Sequence, residues 1–376
     1  MENKKVLIFY GSYGAGHLSA ARSIQEYIDA QYPNIQTQLV DTIEYINKTF
    51  NKISVKTYDQ ISRKAPWVWK KVYYDSGKWP IKNISQTAND LLAYKLYKLI
   101  DAYQPDIIIC THFFPSQMCA ILKEKGKIHC RLATVLTDYA PHEQWLVHHE
   151  YVDDYFVAHK GMISDLVKCG VDASKIHATG IPLSHKFLMH YDKQAILKEF
   201  NLKPDKPIVL FFAGGSSHVA RGTSSDIFQS FLHSFPNVQI LTITGKSNQL
   251  KKEFDELVLY NHREDNIKVL KFTNQVPQLM SVSDIVITKP GGLTTTESLA
   301  SGLPIIVIDP IPGQEEENAT FLEKNGAAIW LKKGDHVSEI LSNLFASPDK
   351  IKQMKIKAKL LAKKNSTKDI CETVLR

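Results

Sequence analysis

Short runs of β-branched and aromatic residues alternate along the chain with longer stretches of helical character. Continuous apolar runs of this kind are typical of parallel strands that are buried on both faces. The alternation of strand and helix predicts an α/β fold with doubly wound parallel sheets. Ten runs are strand candidates: Val6–Tyr10, Ile107–Cys110, Leu132–Leu136, Tyr155–Ala158, Ile208–Phe212, Ile240–Thr244, Ile267–Leu270, Ile285–Thr288, Pro304–Ile308 and Ala327–Trp330.

The strand–helix rhythm occurs twice, once before about residue 180 and again after residue 207. A chain of 376 residues suits two domains of roughly 150 residues or more each. We therefore expect two Rossmann-like domains facing a cleft, at 1–182 and 183–354, with a C-terminal helix at about 355–376 that packs back on the first domain. Residues 45–100 break the rhythm, and an insertion of this kind is usually functional or disordered.

Composition narrows the class of protein. Charged residues make up 23% and hydrophobic residues 44%, as in ordinary soluble globular proteins. No apolar run approaches 18 residues, and the run Val6–Tyr10 is too short for a signal-peptide core. The five cysteines lack CxxC spacing, so we expect reduced thiols in a cytoplasmic protein.

The net charge of +7 is distributed unevenly. A basic stretch from Arg63 to Lys82 contains three of the five tryptophans, which is the composition expected of a segment lying in a membrane interface. A second run, Lys350–Lys368, fits an anionic surface or a solvated helix face equally well. No nucleic-acid-binding module is recognisable. The predicted partner is an anionic membrane surface, with the protein peripheral on the inner face of the cell membrane.

A glycine-rich turn follows the first predicted strand, with glycines at 11, 14 and 16. Such glycines let the backbone approach a ligand at a helix N-terminus, but the spacing is not that of a dinucleotide fingerprint. His17 begins the next helix, whose positive end favours a neutral imidazole that can act as a base. A capping or packing histidine is an equally good interpretation. A similar turn, Ala213–Ser217, follows the strand that opens the second half.

The segment Asp284–Pro304 contains a strand, a glycine pair and a helix. We expect Thr294–Thr296 to cap this helix and Glu297 to accept two hydrogen bonds from a ribose diol, while helix N–H groups face a pyrophosphate. The next helix begins with acids and amides that suit sugar hydroxyls. These are Gln314, Glu315 and Asn318, although helix N-terminal stabilisation alone would also explain the acids.

Asp138 and His142 follow a strand in the first half, where Asp138 is a candidate to orient His17 or to hold an acceptor. An ordinary loop after a strand is the other interpretation of both residues. Spacing alone does not choose between His17 and His142 as a base. The chain contains no DxD motif, so we expect no metal clamp. The charge of a bound pyrophosphate would instead be met by backbone N–H groups and Lys289.

Four segments together resemble the monogalactosyldiacylglycerol synthase and bacterial processive diacylglycerol β-glucosyltransferase family, which is similar to glycosyltransferase family 28 and has the GT-B fold. They are Gly11–His17, Thr244–Asn248, Lys289–Pro304 and Gly313–Ala319. The resemblance runs in order along nearly the whole chain, and residues 289–318 are its most specific part.

The resemblance implies an inverting transfer of a hexose from a UDP-sugar to diacylglycerol, giving a β-glycosyl diacylglycerol, with successive additions possible and no metal or other cofactor. Glucose is favoured by similarity to the bacterial branch, and galactose stays open. His17 is the implied base, supported by Asp138. The donor-binding residues are Gly16, Gly214, Gly215, Ser216, Lys246, Phe272, Thr273, Lys289, Gly291, Gly292, Thr294, Glu297, Gln314, Glu315 and Asn318. The predicted membrane or acceptor residues are Trp67, Trp69, Lys70, Lys71, Trp79, His142 and Trp145.

Three other functions remain compatible with the sequence. A UDP-N-acetylglucosamine 2-epimerase has the same double Rossmann fold, but it has no need of an aromatic and basic insertion. A transferase with a polyprenyl-linked or soluble acceptor and a non-catalytic UDP-sugar sensor are the other two. Release of UDP that depends on lipid separates all three from the predicted reaction.

Overall fold

The computed structural model describes residues 4–12, 15–46, 82–214 and 221–376, and for 82–91 and 221–223 it describes the backbone alone. The chain divides into two compact units. The first contains the residues up to 184 together with 312–317 and 363–376, and the second contains 185–311 and 318–362. The sequence predicts a helix at about 355–376 that packs on the first domain. In the structure, residues 363–376 belong to the first unit, and residues 355–362 belong to the second.

The first unit is built on a six-stranded parallel sheet within the described residues. Its strands are β1 (Lys5–Tyr10), β2 (Gln36–Asp41), β3 (Ile107–Cys110), β4 (Arg131–Val135), β5 (Asp154–Phe156) and β6 (Ile176–His177). Its α-helices are α1 (Gly16–Gln31), α2 (Thr42–Ile46), α3 (Lys82–Tyr103), α4 (Phe113–Glu124), α5 (Gly161–Lys168) and, at the end of the chain, α14 (Ser366–Leu375). Short 3₁₀ helices span Glu143–Leu146, His149–Tyr151 and Ala173–Lys175.

The first sheet has the strand order β2-β1-β3-β4-β5-β6. The chain leaves β1 for β2 at one edge and returns to β3 on the other side of β1, which makes the gap between β1 and β3 a topological switch point. Ligands of open α/β sheets bind outside the carboxyl ends of the strands at such points. The loops after β1 and β3 are therefore where the topology predicts a ligand site in this unit.

The C-terminal helix α14 completes the core of the first unit. Its residues Ile370, Cys371 and Val374 are buried in the same cluster as Val6 and Ile24. Arg131, at the start of β4, donates two hydrogen bonds to the last carbonyls of α14 and forms a two-point ion pair with Asp154. The last carbonyl groups of a helix have no hydrogen-bond donor within the helix, and the positively charged Arg131 supplies one. Arg131 therefore fixes α14 on the sheet.

The second unit also contains a six-stranded parallel sheet within the described residues. Its strands are β7 (Ile208–Phe212), β8 (Gln239–Ile243), β9 (Ile267–Leu270), β10 (Ile285–Thr288), β11 (Ile305–Val307) and β12 (Ala328–Trp330). Its helices include α6 (Lys193–Glu199), α7 (Arg221–His233), α8 (Asn248–Tyr260), α9 (Val276–Val282), α10 (Gly292–Ala300), α12 (Val337–Phe345) and α13 (Pro348–Leu361), with a 3₁₀ turn at His185–Leu188. Helix α11 (Gln314–Lys324) begins in the first unit and ends in the second.

The second sheet has the order β12-β11-β10-β7-β8-β9, so its switch point lies between β7 and β10. Its core is aromatic, with the buried rings of Phe228 and Phe254 stacked at a centroid distance of 3.8 Å. The two glycine-containing loops singled out in the sequence follow β7 and β10, and they therefore flank this switch point.

All ten predicted strands are confirmed, with ends that differ by at most two residues. The structure adds β2 and β6, which the sequence pattern did not indicate. Both are edge strands, and neither carries the long apolar run of a strand buried on both faces. In the part of the chain that the structure describes, no helix is long and apolar enough to cross a membrane.

Candidate active site

The turn after β1 brings the chain close to the end of β3. A Cβ atom at Gly11 would lie 2.9 Å from Cγ of the His112 ring, so only glycine allows this ring to pack against the turn. Helix α1 then begins at Gly16, and its first residues lie at the carboxyl edge of the first sheet. Residues 13 and 14 lie outside the described residues.

His17 is held through one ring nitrogen. Its Nδ1 lies 2.8 Å from the main-chain carbonyl oxygen of Thr111 and 3.0 Å from the hydroxyl of Thr137. A carbonyl oxygen only accepts hydrogen bonds, so Nδ1 carries the proton and Nε2 carries the lone pair. This is the tautomer that a general base acting through Nε2 requires.

Burial lowers the pKa of His17, and this effect outweighs the negative charge of Asp138 and the hydrogen bond to Thr111, which both raise it. His17 also lies in the first turn of α1, whose positive end disfavours a second proton on the ring. The imidazole is therefore neutral at neutral pH and able to accept a proton. The expected orienting role of Asp138 stays a prediction, because its described influence on His17 is that of its charge.

Two further histidines stand beside His17. The rings of His17 and His112 meet edge to face at 4.6 Å, and His112 stacks on Phe113 at 4.3 Å. Nδ1 of His112 accepts a hydrogen bond from the N–H of Phe114 and so caps α4. Burial lowers the pKa of His112 well below its usual range and that of His142 to about 4. The edge of the first sheet therefore presents a cluster of uncharged imidazoles.

The burial of Trp145 contradicts the prediction that this residue contacts a membrane, while contact with an acceptor stays a prediction. The sequence groups it with residues that contact membrane or acceptor, but its side chain is only 1% exposed. It lies in the 3₁₀ helix Glu143–Leu146 and packs against the rings of Phe113 and His142. A side chain this deeply buried does not reach a bilayer, so Trp145 supports the histidine cluster from behind instead.

The sequence did not single out Thr111, His112 or Thr137. Their positions in the sequence were a usable signal. Each lies just after a predicted strand, and the carboxyl ends of parallel strands meet at one edge of the sheet. Applying that rule to β3 as well as to β1 and β4 would have placed Thr111 and His112 beside His17. Their hydrogen bonds span 94 and 120 residues of sequence and leave no local pattern.

In the second unit, the loops after β7 and β8 are in direct contact. A Cβ atom at Gly214 would lie 2.1 Å from the carbonyl oxygen of Thr244, so this position accepts only glycine. Gly245 follows with a φ of +61°, a conformation that other residues rarely adopt. Lys246, the next residue, is exposed at this edge. Gly215 and Ser216 lie outside the described residues.

The loop after β9 lies against the loop after β8. The N–H of Phe272 donates to the carbonyl of Gly245, while its ring is 65% exposed. The hydroxyl of Thr273 accepts from the N–H of Gln275 at the start of α9. An exposed aromatic ring fixed by its own backbone at a sheet edge is suited to stack on a planar base.

The loop after β10 leads directly into α10. Gly291 precedes the helix in an extended conformation without a side-chain cap, so the first N–H groups of α10 have no intrahelical partner. The expectation that Thr294–Thr296 cap this helix is wrong, because the helix begins earlier, at Gly292. The hydroxyl of Thr296 donates to the carbonyl of Gly292 inside the helix instead. Lys289 stands half-buried just before this N-terminus.

Glu297 lies in the second turn of α10. Burial raises the pKa of its carboxyl group to about 8. A carboxylate in this position gains strongly from hydroxyl donors, because few waters compete for it. The position therefore suits a ligand with paired hydroxyl groups.

Helix α11 carries the remaining predicted donor residues. Gln314 and Glu315 form its first turn, in the segment that belongs to the first unit, while Asn318 belongs to the second. Asn318 is fully buried, and its amide donates to the carbonyl of Pro290 at 2.9 Å. This bond ties α11 to the turn before α10, so Asn318 supports the shape of that turn.

In the described part of the chain, no group of three or more His, Cys, Asp and Glu residues is arranged to hold a metal ion. The residues predicted at 67, 69, 70, 71 and 79 lie outside the described residues.

Comparison with known proteins gives one family match in each half of the chain. A model of the Monogalactosyldiacylglycerol (MGDG) synthase family matches residues 17–183, and one of the glycosyltransferase family 28 C-terminal domain matches residues 209–374. The chain is 32% identical over 383 aligned positions to the processive diacylglycerol beta-glucosyltransferase of Staphylococcus epidermidis, with 100% of this chain and 93% of that protein covered.

Solved structures share the fold at low sequence identity. MurG of Acinetobacter baumannii has a TM-score of 0.68 and is 14% identical, with 99% of each chain covered. UDP-GlcNAc 2-epimerase of Neisseria meningitidis, bound to UDP-GlcNAc, has a TM-score of 0.64 and is 14% identical, again with 99% of each chain covered. The family is assigned from the 32% identity to the Staphylococcus protein over the full chain, because structures that are 14% identical show the fold alone. The chain belongs to the family of the processive diacylglycerol beta-glucosyltransferases.

Proposed function

We propose that this protein transfers glucose from UDP-glucose to diacylglycerol with inversion, giving a β-glucosyl diacylglycerol that can accept further glucose. The name of the relatives, processive diacylglycerol beta-glucosyltransferase, supports the glucosyl group, the diacylglycerol acceptor, the β linkage and the successive additions. Among the contacts, the observation that carries the proposal is the neutral His17, whose Nε2 bears the lone pair at the switch point of the first sheet.

In the proposed reaction, the acceptor hydroxyl gives its proton to Nε2 of His17 while its oxygen attacks the anomeric carbon of the donor. The bond from that carbon to the diphosphate oxygen breaks, and UDP leaves from the opposite face. One bond forms and one breaks at the anomeric carbon, so an α-linked donor gives a β-linked product. A base placed this way contributes about 10²–10⁴-fold to the rate.

The second sheet carries the groups that suit the leaving UDP. The N-terminus of α10, which follows Gly291 without a side-chain cap, would present backbone N–H groups to a diphosphate, and Lys289 would add a positive charge. Glu297 would accept the two ribose hydroxyls, and Phe272 would contact the uracil. Gln314 and Glu315 are the proposed contacts of the glucose ring.

Membrane docking is the proposed task of the aromatic and basic segment at 63–82. Indole rings lie well at the headgroup level, and each lysine near an anionic surface contributes about 1 kcal/mol. Docking would hold the protein on the inner face of the membrane, where diacylglycerol resides in the bilayer. The composition of the segment is the support for this part of the proposal.

Analysis of the product tests the reaction. The purified protein is supplied with UDP-glucose or UDP-galactose and diacylglycerol in anionic vesicles, and the lipid extract is examined by mass spectrometry and proton NMR. We expect hexosyl and dihexosyl diacylglycerol from UDP-glucose, with the large anomeric coupling of a β-glycoside. A glycolipid with α configuration would overturn the inverting mechanism, and a product from UDP-galactose alone would overturn the donor.

Flotation with anionic vesicles tests the docking role separately. Replacing Trp67, Trp69 and Trp79 together by Ser should reduce the membrane-bound fraction and leave UDP affinity unchanged. Tyr260, which is 83% exposed in the second unit, provides a control in which one exposed aromatic side chain is removed elsewhere. Equal flotation of the triple variant and Tyr260→Ser would rule out the docking role.

A further inference from the structure

Thr111 and His17 are joined by two reciprocal hydrogen bonds. The Thr111 hydroxyl donates to the main-chain carbonyl of His17 at 2.9 Å, and the Thr111 carbonyl accepts from His17 Nδ1 at 2.8 Å. Thr137 adds its hydroxyl at 3.0 Å from the same nitrogen. Both threonines are buried, with exposures of 0% and 3%. The loops after β3 and β4 thus form hydrogen bonds with both the backbone and the ring of His17 on α1.

We infer that Thr111 and Thr137 form a clamp on His17, in which the Thr111 carbonyl selects the Nδ1–H tautomer and both threonines fix the direction of the Nε2 lone pair. Thr137 is, on this inference, a positioning residue for the transfer reaction, and it touches neither substrate. The inference rests on the proposed role of His17 as the base.

The clamp acts because an imidazole ring is otherwise free in two respects. Either nitrogen can carry the proton, and the ring torsion has a broad, roughly two-fold profile. A ring flip would place a carbon atom where Nδ1 now lies and would break the contacts with Thr111 and Thr137 together. Loss of a buried hydrogen bond leaves its partner unsatisfied, so both acceptors favour the same orientation.

His112 forms the third side of the clamp. Its ring stands edge to face against His17, and its Nδ1 is already engaged by the N–H of Phe114. Because burial keeps His112 uncharged, it does not repel the positive charge that His17 acquires when it takes a proton. Gly11 makes this packing possible, since any side chain there would meet the His112 ring.

The sharpest test compares Thr137→Val with Thr137→Ser. Valine keeps the shape and removes the hydroxyl, whereas serine keeps the hydroxyl. Thr134→Val is the matched control, because Thr134 is equally buried, lies on β4 and bonds Ser116 instead of His17. The measured quantities are kcat, KM for UDP-glucose and UDP affinity.

We expect Thr137→Val to lower kcat by about 10–100-fold, because a catalytic group displaced by up to about 1 Å loses rate on this scale. KM for UDP-glucose and UDP affinity should change by no more than about twofold. Thr137→Ser should recover most of the activity, and Thr134→Val should stay near the unaltered protein. If Thr137→Val and Thr134→Val lowered kcat equally, the effect would come from the sheet and the clamp would be overturned.

Nitrogen-15 NMR of the unaltered protein keeps the inference testable even if a variant fails to fold. We expect the signals of His17 to show a protonated Nδ1 and an unprotonated Nε2 above its pKa. A protonated Nε2 would overturn the clamp directly. Full activity of a His17→Ala variant would instead remove the proposed base, so the two failures are distinguishable.

Discussion

The carboxyl edges of the two sheets are built on the same parallel scaffold and carry opposite kinds of group. The first presents His17, His112 and His142, all uncharged because burial lowers the pKa of each ring. The second presents the uncapped N-terminus of α10 and, just before it, Lys289, which suit negative charge. Burial also raises the pKa of its carboxyl group, Glu297, to about 8, so the uncharged form is favoured at neutral pH.

The difference matches the division of work in a glycosyl transfer. In the proposed reaction, a neutral hydroxyl loses a proton at the first edge, and an anionic diphosphate is stabilised at the second. Both sheets are six-stranded and parallel in the described residues, so the difference in chemistry comes from a few residues at the switch points. Four changes test this division, beginning with the largest expected effect.

Replacing His17 by Ala should lower kcat by about 10²–10⁴-fold and leave UDP affinity within about twofold, because the base acts on the acceptor alone. His129→Gln is the control, since His129 is exposed just before β4, at the opposite edge of the same sheet. Steady-state kinetics and calorimetric titration with UDP separate the two effects. A loss of UDP affinity would make His17 a phosphate ligand and break the division.

Replacing Glu297 by Ala should have the converse effect, weakening UDP binding by about 10–100-fold. This range corresponds to the loss of hydrogen bonds to a charged group. Glu297→Gln should recover part of the affinity, because an amide oxygen still accepts a hydrogen bond. Binding of UDP that is unchanged in Glu297→Ala would remove the ribose from this position.

The pH dependence of UDP binding follows from the pKa of Glu297, which burial raises to about 8. Ribose hydroxyls donate best to the ionised carboxylate, so binding must release the proton that the free protein holds below that pH. We expect UDP affinity to fall by up to about tenfold per pH unit below pH 8 and to level off above it. Glu297→Gln has no titrating group at this position and should lose this dependence while keeping that of UDP itself.

The smallest effect is expected from Asn318→Ala, which removes the bond to the Pro290 carbonyl. A buried unsatisfied carbonyl costs about 1–3 kcal/mol, so the free energy of unfolding should fall by that amount. UDP affinity should fall modestly, because the turn before α10 loses its support. Urea denaturation and UDP titration measure both. A loss of glucose selectivity with unchanged stability would make Asn318 a sugar contact instead.

Most of the fold could be predicted from the sequence because its strands are buried on both faces and appear as continuous apolar runs. β7 and β10 were predicted to the residue for that reason. β2 was missed because Gln36, Thr37 and Gln38 give it a polar first half at the exposed edge of its sheet. Edge strands bury less, so hydrophobic pattern indicates them weakly.

The position of a residue at a sheet edge was predictable where a motif follows a strand directly, as at His17 and at Gly291–Gly292. The clamp on His17 could not be predicted from the sequence. Every residue has a main-chain carbonyl, so the role of Thr111 leaves no residue-type signal, and Thr137 is 120 residues from His17 in the sequence. The misplaced cap at Thr294–Thr296 has a related cause. A threonine hydroxyl serves equally well as a cap or as a donor inside the helix, and sequence does not distinguish the two.

The measurement that tests the central claim most directly is the release of UDP from UDP-glucose, with and without diacylglycerol in anionic vesicles, by the protein and by His17→Ala. We predict rapid release that needs both substrates and that falls by about 10²–10⁴-fold in the variant. Release that is independent of lipid, or equal in the two proteins, would contradict a transfer to diacylglycerol in which His17 is the base.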